Sequence, residues 1–557
     1  MAGRFTGRDL SNFMDKAGAS TSRHRFRHRG VTQNRMSTFA LHAAVEPPVT
    51  SHRYWWETRW FAALLILISV VPLLYPQDAP LVDLFGHIGR YRVQLDVGSS
   101  PWLRQYYQYD WAPIGNLGVD GLVQLLGPIL GLEPAVKLII LSIPALTTAG
   151  FLLVAREVHH RLPPTAIFSL LLVYNHPFVF GFVNFALSMA LAFLAFGLWL
   201  RLARQGRLRL RAMLFVPISF VIFFAHTFGW GTLGLLAFSA EAVRQHDEGR
   251  GWFRSIVNAA AHASVLALPV VVMFLWRYET HGDMTRAWFY WKLKWEWIYS
   301  AVRDRWRWFD IATISVIPIL FVFTVASRKL AFSRNLAFSA LILAVSFVIL
   351  PWTVFGSAYA DMRLAPYMIA LIPLAIRFRE DTHLPTARAL ALIGSALLVI
   401  RLAGVTWSMA IAADDQQAKL EALNELPEGA RVVSLVGRDC RRIWALPRNS
   451  HLPGMIMARR QGFSNDQWQI DGTNLMRVTY TDAGVFRKDP SQMVFPDWCA
   501  VGKGKKRWTV NKALKAIPRD KFDYVWLIDI PAFNPELTRG MTLLWKGHGS
   551  ILYRIDR

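Results

Sequence analysis

The chain has 557 residues, 53% of them hydrophobic and 18% charged, with a formal net charge of +24. Soluble proteins are roughly a quarter charged, so a wholly water-soluble protein is excluded. A basic balance also accompanies nucleic-acid binding. Here, however, much of the charge flanks apolar stretches, where it sets orientation and meets anionic lipid headgroups. No zinc-finger or RNA-binding signature is present, and no nucleic acid is expected as a partner.

Residues 1–59 read as a disordered basic cytoplasmic tail, with Arg23, His24, Arg25, Phe26, Arg27, His28 and Arg29 in one run that lacks apolar periodicity. Residues 60–411 form the membrane part. A spanning helix needs about 20 apolar residues. Eleven candidates follow: 60–76, 135–155, 164–179, 181–200, 212–227, 228–244, 256–276, 310–326, 335–352, 364–378 and 388–411. The stretch 111–132 carries Pro113, Asp120, Gly121, Gly127 and Pro128, and reads as a half-buried helix lying against the bilayer. The gaps holding Arg156 and Arg161, Arg201–Arg211, Arg244–Arg254, Arg328–Arg334 and Arg377–Arg388 fall on one side, with the basic tail. By the positive-inside rule that side is cytoplasmic. An odd span count then puts the C-terminus outside.

Three extracytoplasmic loops remain: 77–134, 277–309 and 353–363. In the first, Asp83, His87 and Arg90 are spaced i, i+4, i+7, which places them on one helix face. A carboxylate there can act as a general base toward a hydroxyl, and the basic pair can hold an anion such as phosphate. The plainer alternative is a solvated face with an internal ion pair. Asn175, His176, Asn184 and His226 lie near outer ends of spans, where polar residues mark sites or simply bond neighbouring helices. The loop 277–309 carries Trp288, Trp291, Trp295, Trp297, Trp306 and Trp308 among bases, the pattern of an interfacial helix. The third loop contributes Asp361 and Arg363, either a local ion pair or part of a site.

Residues 412–557 have the composition of a soluble domain. Strand-like runs at Ala430–Val436, Tyr524–Ile530 and Ile551–Ile555, with helical pieces between, indicate α/β. The fold class expected is thus an α-helical polytopic membrane protein of about eleven transmembrane helices with a C-terminal extracytoplasmic α/β domain. His451, Arg459 and Arg460 read more simply as a solvated face than as an acceptor surface. Cys440 and Cys499 are the two cysteines, and outside the cytoplasm they are expected to form a disulfide.

Several short stretches resemble the C-type glycosyltransferase superfamily, polytopic enzymes that use lipid-phosphate-linked sugars. They are Asp83 with His87 and Arg90 after the first span, Gly181–Ser188, His226-Thr227-Phe228-Gly229, Tyr359–Leu364 and Leu426–Val433. The resemblance covers most of residues 60–460. It implies transfer of a sugar from a polyprenyl-phosphate donor to a glycan, lipid or protein acceptor at the outer face of a bacterial inner (plasma) membrane, with the C-terminus periplasmic and inverting chemistry. Asp83 would be the catalytic base. His87, Arg90, Asn184, His226, Asp361 and Arg363 would contact substrate, with Arg90, Arg363 and His87 stabilising the leaving phosphate. Many members carry adjacent acidic residues in the first loop, whereas Leu84 follows Asp83 and Asp78 lies five residues upstream. Use of a divalent cation is therefore left open. Two other function classes remain at this point: a transporter or flippase of lipid-linked glycan, and a non-catalytic subunit of an envelope-polymer assembly complex. Transporters tend to show internal repeats and mid-membrane binding groups, and neither is found in the sequence. Reporter fusions are expected to place Arg201–Arg211 in the cytoplasm and Gly429 outside. A cytoplasmic signal at Gly429 would overturn the odd span count and the outer location of Asp83.

Overall fold

The computed structural model describes residues 53–277, 285–354, 357–379, 384–441, 443–469, 474–499 and 508–557. Each of the eleven predicted apolar stretches is helical over all or most of its length. Five helices are long and apolar enough to cross a bilayer: Leu132–His159, Val183–Arg204, Leu208–Ala225, Arg307–Ala326 and Leu384–Glu425. Trp252–Leu266 and Pro269–Leu275 make a sixth if taken together, bent by 63°. Pro269 opens the second piece; it lacks an N–H and disfavours helix at the residue before it, which accounts for the break.

The remaining predicted spans fall short by those criteria for local reasons. The stretch 164–179 is interrupted at Asn175, whose side chain accepts from the Phe178 N–H at 3.1 Å and starts a new short helix, His176–Phe180. Thr227–Asp247 carries Glu241, Arg244 and Gln245, with Glu241 buried against Arg211 at 3.0 Å. Its Glu241 is satisfied by Arg211 of a neighbouring helix and by its own Arg244. Outward-facing residues of the long helices are apolar: Ile319, Val322, Val325, Leu392, Val399 and Ile400 are each more than half exposed. A surface of that kind has lipid as its natural solvent. The stretch 111–132 contributes a short apolar helix, Gly118–Leu130, which keeps Leu125 and Ile129 outside and buries Asp120.

The C-terminal region holds a five-stranded sheet. Its order is Met493–Val494, Val432–Gly437, Tyr524–Ile528, Ser550–Ile555 and Met541–Gly547. The first three strands are parallel, and the last two join antiparallel. Val432–Gly437 is buried almost throughout and correspondingly apolar, as a central parallel strand must be. The predicted strand runs thus form its centre, and the short Met493–Val494 strand lies at its edge. Cys440 and Cys499 are disulfide-bonded, as expected.

The first loop is part of this domain's framework. Its strand Tyr107–Tyr109 pairs antiparallel with Met476–Val478. Its helix, Leu84–Asp96, packs against the helix Gly454–Arg460. The contact is backbone to backbone: a Cβ on Gly89 would lie 2.5 Å from the Gly454 carbonyl oxygen, and one on Gly454 would lie 2.4 Å from that of Phe85. Arg448 clasps the same region. It pairs with Asp304 and donates to the Pro80 carbonyl at 2.5 Å, and all three residues lie inside. Gly454→Ala is therefore expected to lower the thermal midpoint of the purified protein in detergent, by the roughly 1–3 kcal/mol of an overpacked contact. An unchanged midpoint would show that the two helices can separate without loss.

Candidate active site

Asp83 stands at the N-terminus of the loop helix. The chain before it is pinned to a turn between two helices: Val82 N–H donates to the Val179 carbonyl at 3.3 Å, and Asp83 N–H to that of Phe180 at 3.0 Å. Gly181 in this turn has φ +105°, and a Cβ there would lie 2.7 Å from the Asp83 nitrogen. Glycine meets both constraints. The Asp83 side chain makes no capping bond to its own helix, and its carboxylate stands near His451 instead.

Across from it lies His451, 3% exposed. Its Nε2 is 3.9 Å from an oxygen of Asp83 and 3.9 Å from one of Asp489. Its Nδ1 is 3.0 Å from the Asp466 carbonyl and 3.5 Å from that residue's carboxylate. A carbonyl only accepts, so Nδ1 carries a proton. Trp468 covers the ring, with centroids 4.2 Å apart. Burial pushes the Asp83 carboxyl up to about 7; His451 opposes this and Asp489 adds to it. Burial would lower the His451 pKa, but Asp466, Asp489 and Asp83 outweigh it and hold the imidazole at about 9. Near neutral pH the imidazole is therefore cationic, and Asp83 exchanges readily between its two forms.

The other predicted residues divide. His87 stays beside this cleft, its ring centroid 5.0 Å from that of Trp468. Burial, then Arg90 and His451, depress its pKa well below the usual range, so it is neutral. Arg363 donates to Ser357 Oγ at 3.0 Å and lies over the Phe182 ring at 4.5 Å. Among the described residues it has no carboxylate partner within 4 Å, though the charge of Asp83 acts on it. Arg90 does not join Asp83. It turns to Asp120 in a buried ion pair, a partner from the short apolar helix that carried no role in the sequence reading. Asn184 completes that structure, donating to Asp120 at 2.9 Å and to the Asn116 carbonyl at 2.9 Å while accepting from Val119 N–H at 2.6 Å. Of the expected convergence of Asp83, His87 and Arg90, Arg90 turns away to Asp120, while His87 packs against the same Trp468 that covers His451.

His226 caps the Thr227–Asp247 helix, its Nδ1 accepting from Phe228 N–H at 3.1 Å. Asp361 pairs with Lys294 at 3.4 Å and accepts from Trp297 Nε1 at 3.1 Å, so its ion-pair partner is not Arg363. These bonds hold part of the tryptophan-rich segment inside, while Trp288, Trp291, Trp295 and Trp308 remain exposed. Arg459 pairs with Glu133 and Asp78, away from solvent-only surroundings.

His451, Asp466, Trp468, Asp489 and Arg438 were not singled out with Asp83 in the sequence. Arg438 donates to Ser450 at 2.6 Å, and its charge reaches Asp83 and Asp489. The available signal was the turn Pro447–Gly454, where proline and glycine bracket a histidine. Among the described residues no group of three or more His, Cys, Asp or Glu side chains could hold a metal ion.

No protein-family model and no curated protein matches the chain. Among solved structures it is similar to ArnT from Cupriavidus metallidurans bound to undecaprenyl phosphate, with TM-score 0.46 and 11% identity over 89% of this chain and 97% of that one. The apo state of ArnT gives 0.45 and 12% over the same shares. At this similarity no residue role passes from one chain to the other.

The placement of Arg90 has a measurable consequence. Arg90→Gln would leave Asp120 charged and unpaired in the interior, a loss of about 3–5 kcal/mol. Arg90→Met combined with Asp120→Leu removes both charges and is expected to lose far less. Chemical denaturation of the two variants in detergent checks this. Equal losses would mean that the ion pair is not what holds the two helices.

Proposed function

We propose that this chain is a membrane glycosyltransferase that moves a sugar from a polyprenyl-phosphate donor to an acceptor hydroxyl. The observation that carries this reading is the cluster around Asp83. It joins a buried carboxyl that ionises near neutral pH, a cationic imidazole, and an arginine that has no carboxylate partner among the described residues, all beside an apolar helical bundle.

The step balances with these groups. Asp83 takes the proton of the acceptor hydroxyl, and its oxygen attacks the anomeric carbon of the donor sugar. The bond from that carbon to the phosphate oxygen breaks, and its electron pair leaves on the phosphate. Arg363 receives the developing charge. Its guanidinium suits a phosphate because it offers parallel N–H donors in a fixed plane. Asp489 and His451 set the proton affinity of Asp83 from opposite sides. Arg90 and Asn184 have a supporting role in this scheme: they fix the loop helix and the helix beneath it. No step is routed through a metal.

Asp83 must be ionised to accept the proton, so transfer is expected to rise with pH through about 7. The rise should be near tenfold per pH unit on the acidic limb. His451→Gln removes a cation that favours the Asp83 carboxylate, so its limb should move to higher pH. Asp83→Asn should lower transfer by about two to four orders of magnitude while donor binding and folding persist. The assay is purified protein in nanodiscs with a polyprenyl-phosphate sugar and an acceptor extract. Well-folded Asp83→Asn protein with near wild-type transfer would remove Asp83 as the base.

A further inference from the structure

A polar cavity of 370 Å³ lies between the last long helix and the sheet. Ile411, Ala412 and Asp415 form one wall, and Arg305 reaches in from the bundle side. The opposite wall is the carboxyl end of the central strand, Val436 and Gly437, with Arg438 and Asp529. Crevices beyond the carboxyl ends of parallel strands are where open α/β sheets take ligands. Gly437 approaches the neighbouring strand end so closely that a Cβ would lie 2.0 Å from the Asp529 carbonyl oxygen.

The hydrogen-bonding inventory of this cavity is one-sided. Asp415 and Asp529 supply four carboxylate oxygens, and all four are engaged. Lys419 pairs with one oxygen of each, the latter at 3.2 Å. Asn449 Nδ2 donates to the other oxygen of each, at 3.0 and 2.6 Å. Arg448 is neutralised by Asp304. Among the charged side chains that line it, the uncommitted groups are therefore donors. Arg305 has no hydrogen-bond or ion-pair partner among the described residues, and its Nε is buried without one. The Arg438 side chain has one hydrogen bond among the described residues, to Ser450. A buried N–H left without an acceptor, as at Arg305 Nε, is costly unless a ligand supplies one.

The geometry points to an oxyanion subsite in this cavity, built on Arg305 and Arg438, that takes a phosphate or carboxylate carried by the acceptor. The assignment to the acceptor rests on the proposed transfer function. Arg438 supports it, because this side chain both lines the cavity and acts electrostatically on Asp83 and Asp489. An acceptor anchored here by its anionic group would extend toward the proposed base. The donor phosphate has a separate candidate in Arg363, which does not line this cavity.

Two measurements test the proposal. The first uses inorganic phosphate on the full-length protein in detergent, against chloride at equal ionic strength. It is run in an Arg363→Gln background so that the proposed donor site does not contribute. Phosphate should raise the thermal midpoint, as any ligand of the folded state does, and adding Arg305→Gln should weaken phosphate binding by about tenfold. Arg305 has no internal partner to strand, so the midpoint without phosphate should stay put. The second measurement is transfer: Arg305→Gln should raise the KM for the acceptor about fivefold or more, with the donor KM unchanged. No phosphate response, or an equal response with and without Arg305, overturns the subsite. A rise in donor KM instead reassigns the cavity to the donor and overturns the acceptor claim. Phosphate binding that depends on Arg305 in a protein without any transfer would leave the anion site standing and refute the function it was tied to.

Discussion

The arrangement depends on one contact, the crossing of two helices at glycine. Leu84–Asp96 and Gly454–Arg460 meet with Gly89 and Gly454 backbone to backbone, and no side chain could stand between them. Residue Gly454 follows His451 by one helical turn, and Gly89 follows Asp83 by less than two. Closing the backbones therefore fixes the separation of the carboxylate and the imidazole. A larger residue at either glycine would push His451 away from Asp83 and lower its influence on the carboxyl. The reach of His451 to the candidate base is in this sense set by missing Cβ atoms more than 360 residues apart in sequence, while burial sets the larger part of the shift.

Buried ion pairs hold the surrounding pieces in register. Arg90 with Asp120 joins the loop helix to Gly118–Leu130. Arg401 with Asp310, at 2.6 Å, joins two long helices, and Asp310 also accepts from Trp444 Nε1 at 2.7 Å in the C-terminal region. Arg448 with Asp304 ties that region to the bundle. Such pairs add little net stability, because desolvation offsets their attraction. Their effect is on geometry: any displaced packing would leave a charge buried and unpaired. That is a reason for three polar ties where apolar contact alone would allow sliding.

Local pattern made much of the architecture legible. Apolar runs such as 135–155 and 310–326 need only their own length and composition to be read as helices, and the central strands of the sheet are short apolar runs bounded by turn residues. Asp83 was legible because it follows the first span at the head of a helix with His87 one turn on. Arg90 was misplaced by the same logic: helical spacing gives a shared face, but the buried Asp120 offers a stronger partner than a cleft does. His451 was read as solvent-facing because histidine in a polar stretch usually is. Nothing in its neighbourhood reveals that the loop helix, Trp468 and Asp466 will enclose it. Interactions between positions hundreds of residues apart leave no periodicity to read.

The candidate site lies where a bundle of apolar helices meets the region of the C-terminal sheet, and the proposed chemistry requires such a place. A polyprenyl tail dissolves in the bilayer, while an acceptor bearing hydroxyls and an anionic group does not. Their reacting atoms can meet only where apolar surface gives way to polar surface. Arg363 sits on the bundle side of that boundary, its guanidinium stacked on Phe182 and within reach of the Phe228 ring. Aromatic faces stabilise a cation that is partly removed from water, so it can remain charged where a phosphate with a hydrocarbon tail could reach it. Arg305 and Arg438 line the cavity against the sheet, on the other side. Asp83, which feels the charges of both Arg363 and Arg438, is buried enough to hold a proton near neutral pH and close enough to His451 to release it. A base exposed to bulk water would lack the first property, and one deep in the bundle without the imidazole would lack the second.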